Sequence, residues 1–140
     1  MNTRRCLYLL GIFALLTIGT RFACAYPAAG LKFEVYQDAQ KEYRWRLKDG
    51  DGNILGTAGQ GYKSKESCMN GVKLIKSEAG GKLTFEVYED NSKAFRWRAK
   101  SSNGQTVASS SSGYKDKKEC EAAVDMIKKG AAKAEIEEVK

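Results

Sequence analysis

The 140-residue chain contains no histidine. Ser-His-Asp and Cys-His activation of a nucleophile both need an imidazole base, so both are excluded, and with them go most zinc and copper sites. The chain also lacks an apolar run long enough to span a bilayer. The longest, Cys6 to Ile18, is about 13 residues, against the roughly 20 that a transmembrane helix requires. What remains for chemistry is carboxylates, lysines and thiols, and none of them falls into a spacing that marks a catalytic or metal-ligating set. The expectation is a non-enzyme with no cofactor and no metal.

The first residues carry a different signal. Met1-Asn2-Thr3-Arg4-Arg5 is basic, the apolar run follows, and Ala23-Cys24-Ala25 closes it with small residues, the order of a secretory signal peptide. Arg21 stands where a spanning helix would want an apolar side chain, and where a lipobox would carry an aliphatic one. Residues 1–25 are therefore predicted to be a signal peptide cleaved after Ala25, with 26–30 a short linker. The mature protein is expected to be periplasmic or secreted, with no membrane span after cleavage. Cleavage removes Arg4, Arg5 and Arg21 and no acid, so the formal charge falls from +7 to +4. A charge of that size keeps a small domain soluble, and nucleic acid is not the expected partner.

Self-similarity organises the rest. Phe33-Glu34-Val35-Tyr36 recurs as Phe85-Glu86-Val87-Tyr88, Arg44-Trp45-Arg46 as Arg96-Trp97-Arg98, Gly61-Tyr62-Lys63 as Gly113-Tyr114-Lys115, and Cys68 as Cys120, always at an offset of 52. Residues 31–79 are repeat one and 80–140 repeat two. Solenoids and propellers need three or more units to bury a continuous core, so two copies predict a closed internal pseudo-dimer in a monomeric chain, together one compact domain.

Within each unit the periodicity changes once. Leu31, Phe33 and Val35 alternate with Lys32, Glu34 and Tyr36, and Tyr43, Trp45 and Leu47 with Arg44, Arg46 and Lys48, the pattern of half-buried strands. Asp49-Gly50-Asp51-Gly52 and Asn103-Gly104 are hairpin turn chemistry, and a third strand follows near 53–58 and 105–110. Cys68, Val72 and Ile75, like Cys120, Val124 and Ile127, then fall at i, i+4, i+7, the stripe of a helix packed on a sheet. Ser64 is placed to cap the first helix, and Asp116 with Glu119 has capping-box spacing for the second. The tail from Ala134 to Val139 alternates as a weak last strand.

The combined pattern of Phe-Glu-Val-Tyr, Arg-Trp-Arg, a glycine turn, Gly-Tyr-Lys-Ser-Lys and a helix with Asn70-Gly71-Val72 resembles the YegP-like family of small uncharacterised proteins, across nearly all of residues 31–139. The resemblance implies an α+β fold in which two tandem β-β-β-α units form one antiparallel sheet with both helices on one face, the C-terminal strand being exchanged between units. It implies no activity. The chain departs from the family pattern in its export signal, in Cys68 and Cys120 where a small residue is usual, and in Ala122-Ala123 where repeat one has Asn70-Gly71.

Three sets of residues are candidates for function. Arg44, Arg46, Arg96 and Arg98, with Tyr36 and Tyr88, fall on the strand face opposite the tryptophans. They form either a basic aromatic platform for an anionic polymer or an envelope protein, or a solvated face ion-paired to Glu34 and Glu86. Cys68 and Cys120 form either a disulfide, which an oxidising compartment favours, or two buried thiols acting as small hydrophobes. The Gly-Tyr-Lys turns ahead of each helix either cradle an anion or staple the sheet edge. The functional expectation is an exported binding or interaction module of unknown ligand. The alternatives are a structural or envelope-stress protein that self-associates and a small secreted inhibitor.

Overall fold

A computed structural model describes residues 30–140; the signal peptide and the linker as far as residue 29 lie outside the described residues. In chain order the elements are β1 (Lys32–Gln37), β2 (Tyr43–Lys48), β3 (Ile54–Ala58), α1 (Lys65–Glu78), β4 (Thr84–Glu89), β5 (Phe95–Lys100), β6 (Thr106–Ser109), α2 (Lys117–Gly130), a 3-10 turn (Ala131–Lys133) and β7 (Glu135–Glu138). The sevenfold sheet runs β4-β5-β6-β3-β2-β1-β7. Each copy is an antiparallel three-stranded meander, and the copies meet antiparallel at the centre through Thr57 opposite Ser109 and Ala58 opposite Ala108.

Strand alternation decides which face is buried. Phe33, Val35, Trp45, Leu47 and Trp97 point to the side of α1 and α2 and join the helical residues Cys68, Val72, Ile75, Cys120, Val124 and Ile127 in one core. Trp45, Trp97 and Phe33 are the largest fully enclosed side chains, and burial of each stabilises the fold by about 1.5–3 kcal/mol. Phe33 meets Trp45 edge-on at 5.5 Å between centroids, and Phe85 meets Trp97 at 5.7 Å. Gly56 is needed where the copies meet, because a Cβ there would stand 2.6 Å from the Trp97 ring.

The helices start differently. The Ser64 hydroxyl accepts from the Ser67 amide at 3.1 Å and caps α1. Asp116 holds the cap position of α2 with its backbone, yet its carboxylate makes no cap hydrogen bond. The predicted capping box is thus not formed, and the acid acts at the helix N-terminus only through its charge. Ahead of each helix the tyrosine of the Gly-Tyr-Lys turn bonds back to the second strand, Tyr62 with Tyr43 in both directions at 2.8 Å and Tyr114 with Phe95 at 2.8 and 2.9 Å. The turns act as staples.

Six strands are antiparallel, as predicted, and the seventh makes the sheet mixed. The exchanged strand, β7, leaves α2 at the end where β1 begins, so it runs parallel to β1, with Ile136 beside Phe33 and Glu137 beside Glu34. The Glu135 amide donates to the Leu31 carbonyl at 3.1 Å and the Val139 amide to that of Val35 at 2.9 Å. Lys32 pairs with Glu137 at 2.8 Å, Lys65 pairs with Glu138, and Lys76 donates to the Ala134 carbonyl. Sequence alternation shows that β7 is a strand, but not which neighbour it takes.

Candidate functional site: the helix-free sheet face

Every second residue of β1, β2, β4 and β5 faces away from the helices, and the hairpin register places acid beside base. Glu34 lies opposite Arg46 and Tyr36 opposite Arg44, with Glu86 and Arg98, and Tyr88 and Arg96, in the same relation in the second copy. Arg46 Nε donates to Glu34 Oε2 at 2.5 Å and Lys48 Nζ to Glu34 Oε1 at 2.8 Å. The copy repeats this with Arg98 and Lys100 on Glu86 at 2.6 and 2.9 Å. The Arg46 guanidinium stacks 5.0 Å over the Tyr36 ring and that of Arg98 5.1 Å over Tyr88, a cation–π geometry.

The partners of Arg44 and Arg96 come from outside the strands. Arg44 Nε donates to Asp38 Oδ2 at 2.6 Å and Arg96 Nε to Asp90 Oδ2 at 2.5 Å. Each aspartate also ties its own turn, Asp38 accepting from the amides of Gln40 and Glu42 and Asp90 from those of Ser92 and Ala94. These turns put Lys41 and Lys93 in the left-handed region, at φ of 62° and 64°. Sequence reasoning missed Asp38 and Asp90; their recurrence at the common offset of 52, just after each first strand, was the available signal.

The charges lock one another. The Lys48 hydrogen bond, then that of Arg46, holds the Glu34 carboxyl below its usual range against the opposing effect of burial. Lys100 and Arg98 do the same for Glu86, Arg44 for Asp38, and Arg96 for Asp90. Asp38 in turn raises Arg44, and Asp90 raises Arg96. All six predicted contact residues therefore share one face, and the four arginines are ion-paired on it.

Cys68 and Cys120 lie on the other side of the sheet. Both are free thiols with no exposed surface, and burial pushes each up to about 11. Since the thiolate is the nucleophile and the ligand, their environment suppresses the reactive form. Among the described residues no three of Cys, Asp and Glu gather as metal ligands would.

Two β-β-β-α units sharing a sheet, with a repeated ion-paired ladder on the uncovered face, define a tandem α+β repeat protein. The chain belongs to the family described as "Domain of unknown function (DUF1508)", whose model matches twice, at residues 38–86 and 90–138. Each matched segment takes in the last two strands of one meander, its helix and the strand beyond. A UPF0339 protein of Stutzerimonas stutzeri, encoded in the ptx operon 5' region, is 33% identical over 107 residues, covering 76% of this chain and 95% of that one. A single-copy UPF0339 protein of Neisseria meningitidis serogroup B is 46% identical over 55 residues, 39% of this chain and 96% of its own length. Solution NMR structures of the Escherichia coli yegP protein, of unknown function, and of a Shewanella oneidensis UPF0339 protein share the fold at TM-scores of 0.68 and 0.70. Their identities are 22% and 16%, with 78% of this chain covered in both cases and 92% and 91% of the respective structures.

Proposed function

We propose that the chain is an exported, non-enzymatic binding module, monomeric through its internal pseudo-symmetry, that docks a protein partner on the helix-free sheet face. The observation that carries this reading is the ordered, twice-repeated array of Arg46, Glu34 and Tyr36 with Arg98, Glu86 and Tyr88 on a face that neither helix covers. Side chains already held by ion pairs and stacking lose little conformational entropy when a partner arrives. Their charges are largely balanced, which suits a protein surface of mixed sign better than a polyanion, whose affinity grows with the unneutralised positive charge it meets. Export is supported by the Met1 to Ala25 pattern.

A second reading, an anionic polymer, is favoured by the surplus of base: Arg96, Arg98 and Lys100 face only Glu86 and Asp90 in the second ladder. One experiment separates the two. A photoreactive aromatic at Tyr36 or Tyr88 should give a discrete protein adduct in producing cells, absent when the probe is moved to Lys73 or Asp125 on the helices and lost in an Arg46→Gln/Arg98→Gln variant. Absence of the adduct, with salt-sensitive binding of the purified protein to an anionic glycan or lipid array, would replace the first reading by the second.

A further inference from the structure

The two copies end their sheet differently. Beyond β1 lies β7; beyond β4, among the described residues, no strand pairs. The open edge is unguarded, because Thr84–Glu89 contains no proline and no lysine, and the register irregularities of the copy fall in β5 and β6, whereas natural edge strands are usually blunted by such devices. The apolar side chains of β4 feel the gap: Phe33 and Val35 are buried, but their counterparts Phe85 and Val87 are only half-buried.

The docking chemistry is already written in the first copy. The helix-side groups that fasten β7 on β1 are Lys65, which takes Glu138, and Lys76, which takes the Ala134 carbonyl, while Ile136 lies beside Phe33. An offset of 52 carries these lysines to Lys117 and Lys128. Both stand at the β4 edge without an acidic strand: Lys117 makes only a 3.7 Å contact with Glu121, both side chains more than half exposed, and Lys128 lies 5.4 Å over the Phe85 ring. Backbone carbonyls equivalent to those of Leu31 and Val35 belong to Leu83 and Val87.

We infer that the β4 edge is a second binding site, which receives an extended acidic segment of a partner protein laid parallel to β4 as β7 is laid on β1. The segment carries an apolar residue that packs on Phe85 beneath Lys128 and, two residues later, a carboxylate that pairs with Lys117. Main-chain hydrogen bonds supply much of the affinity and these two side chains the selectivity, the usual division in strand addition. The chain's own β7 is no competitor, because its covalent attachment holds it on β1 at high effective concentration.

A synthetic peptide of residues 131–140 is the probe. Titrated into the isotope-labelled protein, it should shift the backbone amides of Leu83 to Tyr88 and leave those of Phe33 to Tyr36 in place. A peptide with lysine at the position of Glu138, or a Lys117→Glu/Lys128→Glu protein, should bind about tenfold more weakly, the effect of losing close charge pairs at an interface; Lys117→Gln/Lys128→Gln serves if the reversed variant does not fold. Shifts centred on β1 and β7, no shift at all, equal binding of the charge-reversed peptide, or a β4 edge already occupied by self-association at the titration concentration would each overturn the inference.

Discussion

The Phe-Glu-Val-Tyr strand occurs twice in this protein with identical residues, and the two settings differ in burial. In β1 the Glu34 side chain is 10% exposed; in β4 the Glu86 side chain is 37% exposed, although both bind one arginine and one lysine at nearly the same distances. The difference is β7, which runs beside Glu34 and has no counterpart beside Glu86. Local sequence therefore sets the pairing within a hairpin, while the chain's connectivity decides how much water that pairing sees.

The sharpest way to break this contrast is to remove β7. Ending the chain after Lys133 should leave β1 as open as β4, exposing Phe33 and Val35 and deleting the ties to Lys32, Lys65 and Lys76. Partial exposure of those side chains and loss of Ile136 should cost about 3 kcal/mol. Urea unfolding monitored by tryptophan fluorescence reads it, since Trp45 packs on Phe33. A loss under about 1 kcal/mol would mean that β7 contributes little of the protection its position suggests.

A second contrast lies under the helices. Gly71 in α1 faces Tyr62, and a Cβ there would stand 2.4 Å from the tyrosine hydroxyl and 2.9 Å from the ring carbon that bears it. Copy two has alanine at the matching position, Ala123, buried on α2. Gly71→Ala should destabilise by about 1–2 kcal/mol, overpacking offset in part by the better helix propensity of alanine. In a Tyr62→Phe background the closer of the two contacts disappears and the penalty should shrink without vanishing. A Gly71→Ala protein as stable as the parent would show that Tyr62 moves aside, and that the copies can interchange their packing here.

How far these features could be read beforehand follows from the range of the interactions. The offset of 52, the strand alternation of Phe33 and Val35 and the stripe of Cys68, Val72 and Ile75 are periodic, so the helices, the strands and the opposition of Arg44 and Arg46 to Trp45 were legible. So was the pairing of Glu34 with Arg46, because a hairpin places them opposite. The clamp of Arg44 by Asp38 was not, since it depends on a turn that carries Lys41 into the left-handed region. The parallel course of β7 was equally hidden, as it depends on where α2 ends relative to β1. The fit of Tyr62 against Gly71 is a matter of packing distance that no spacing records.

The finest test of the comparison uses acid. Both glutamates have folded-state carboxyls held below the 4.5 of a free side chain, chiefly by Lys48 for Glu34 and by Lys100 for Glu86. A carboxyl depressed in the folded state stabilises it fully above the unfolded value and loses that contribution as pH falls through the folded value. Glu34→Gln should therefore cost about 1–2 kcal/mol at pH 7, the scale of a partly enclosed charge-assisted hydrogen bond, and the gap from the parent should close as pH drops below 4.5. Glu86→Gln should follow the same course with a smaller gap, because water screens its better-exposed pairs. Equal losses at pH 7 would assign the strength of both ladders to the hairpin alone; a larger loss at Glu34 that disappears when β7 is removed would assign the excess to the strand that covers it.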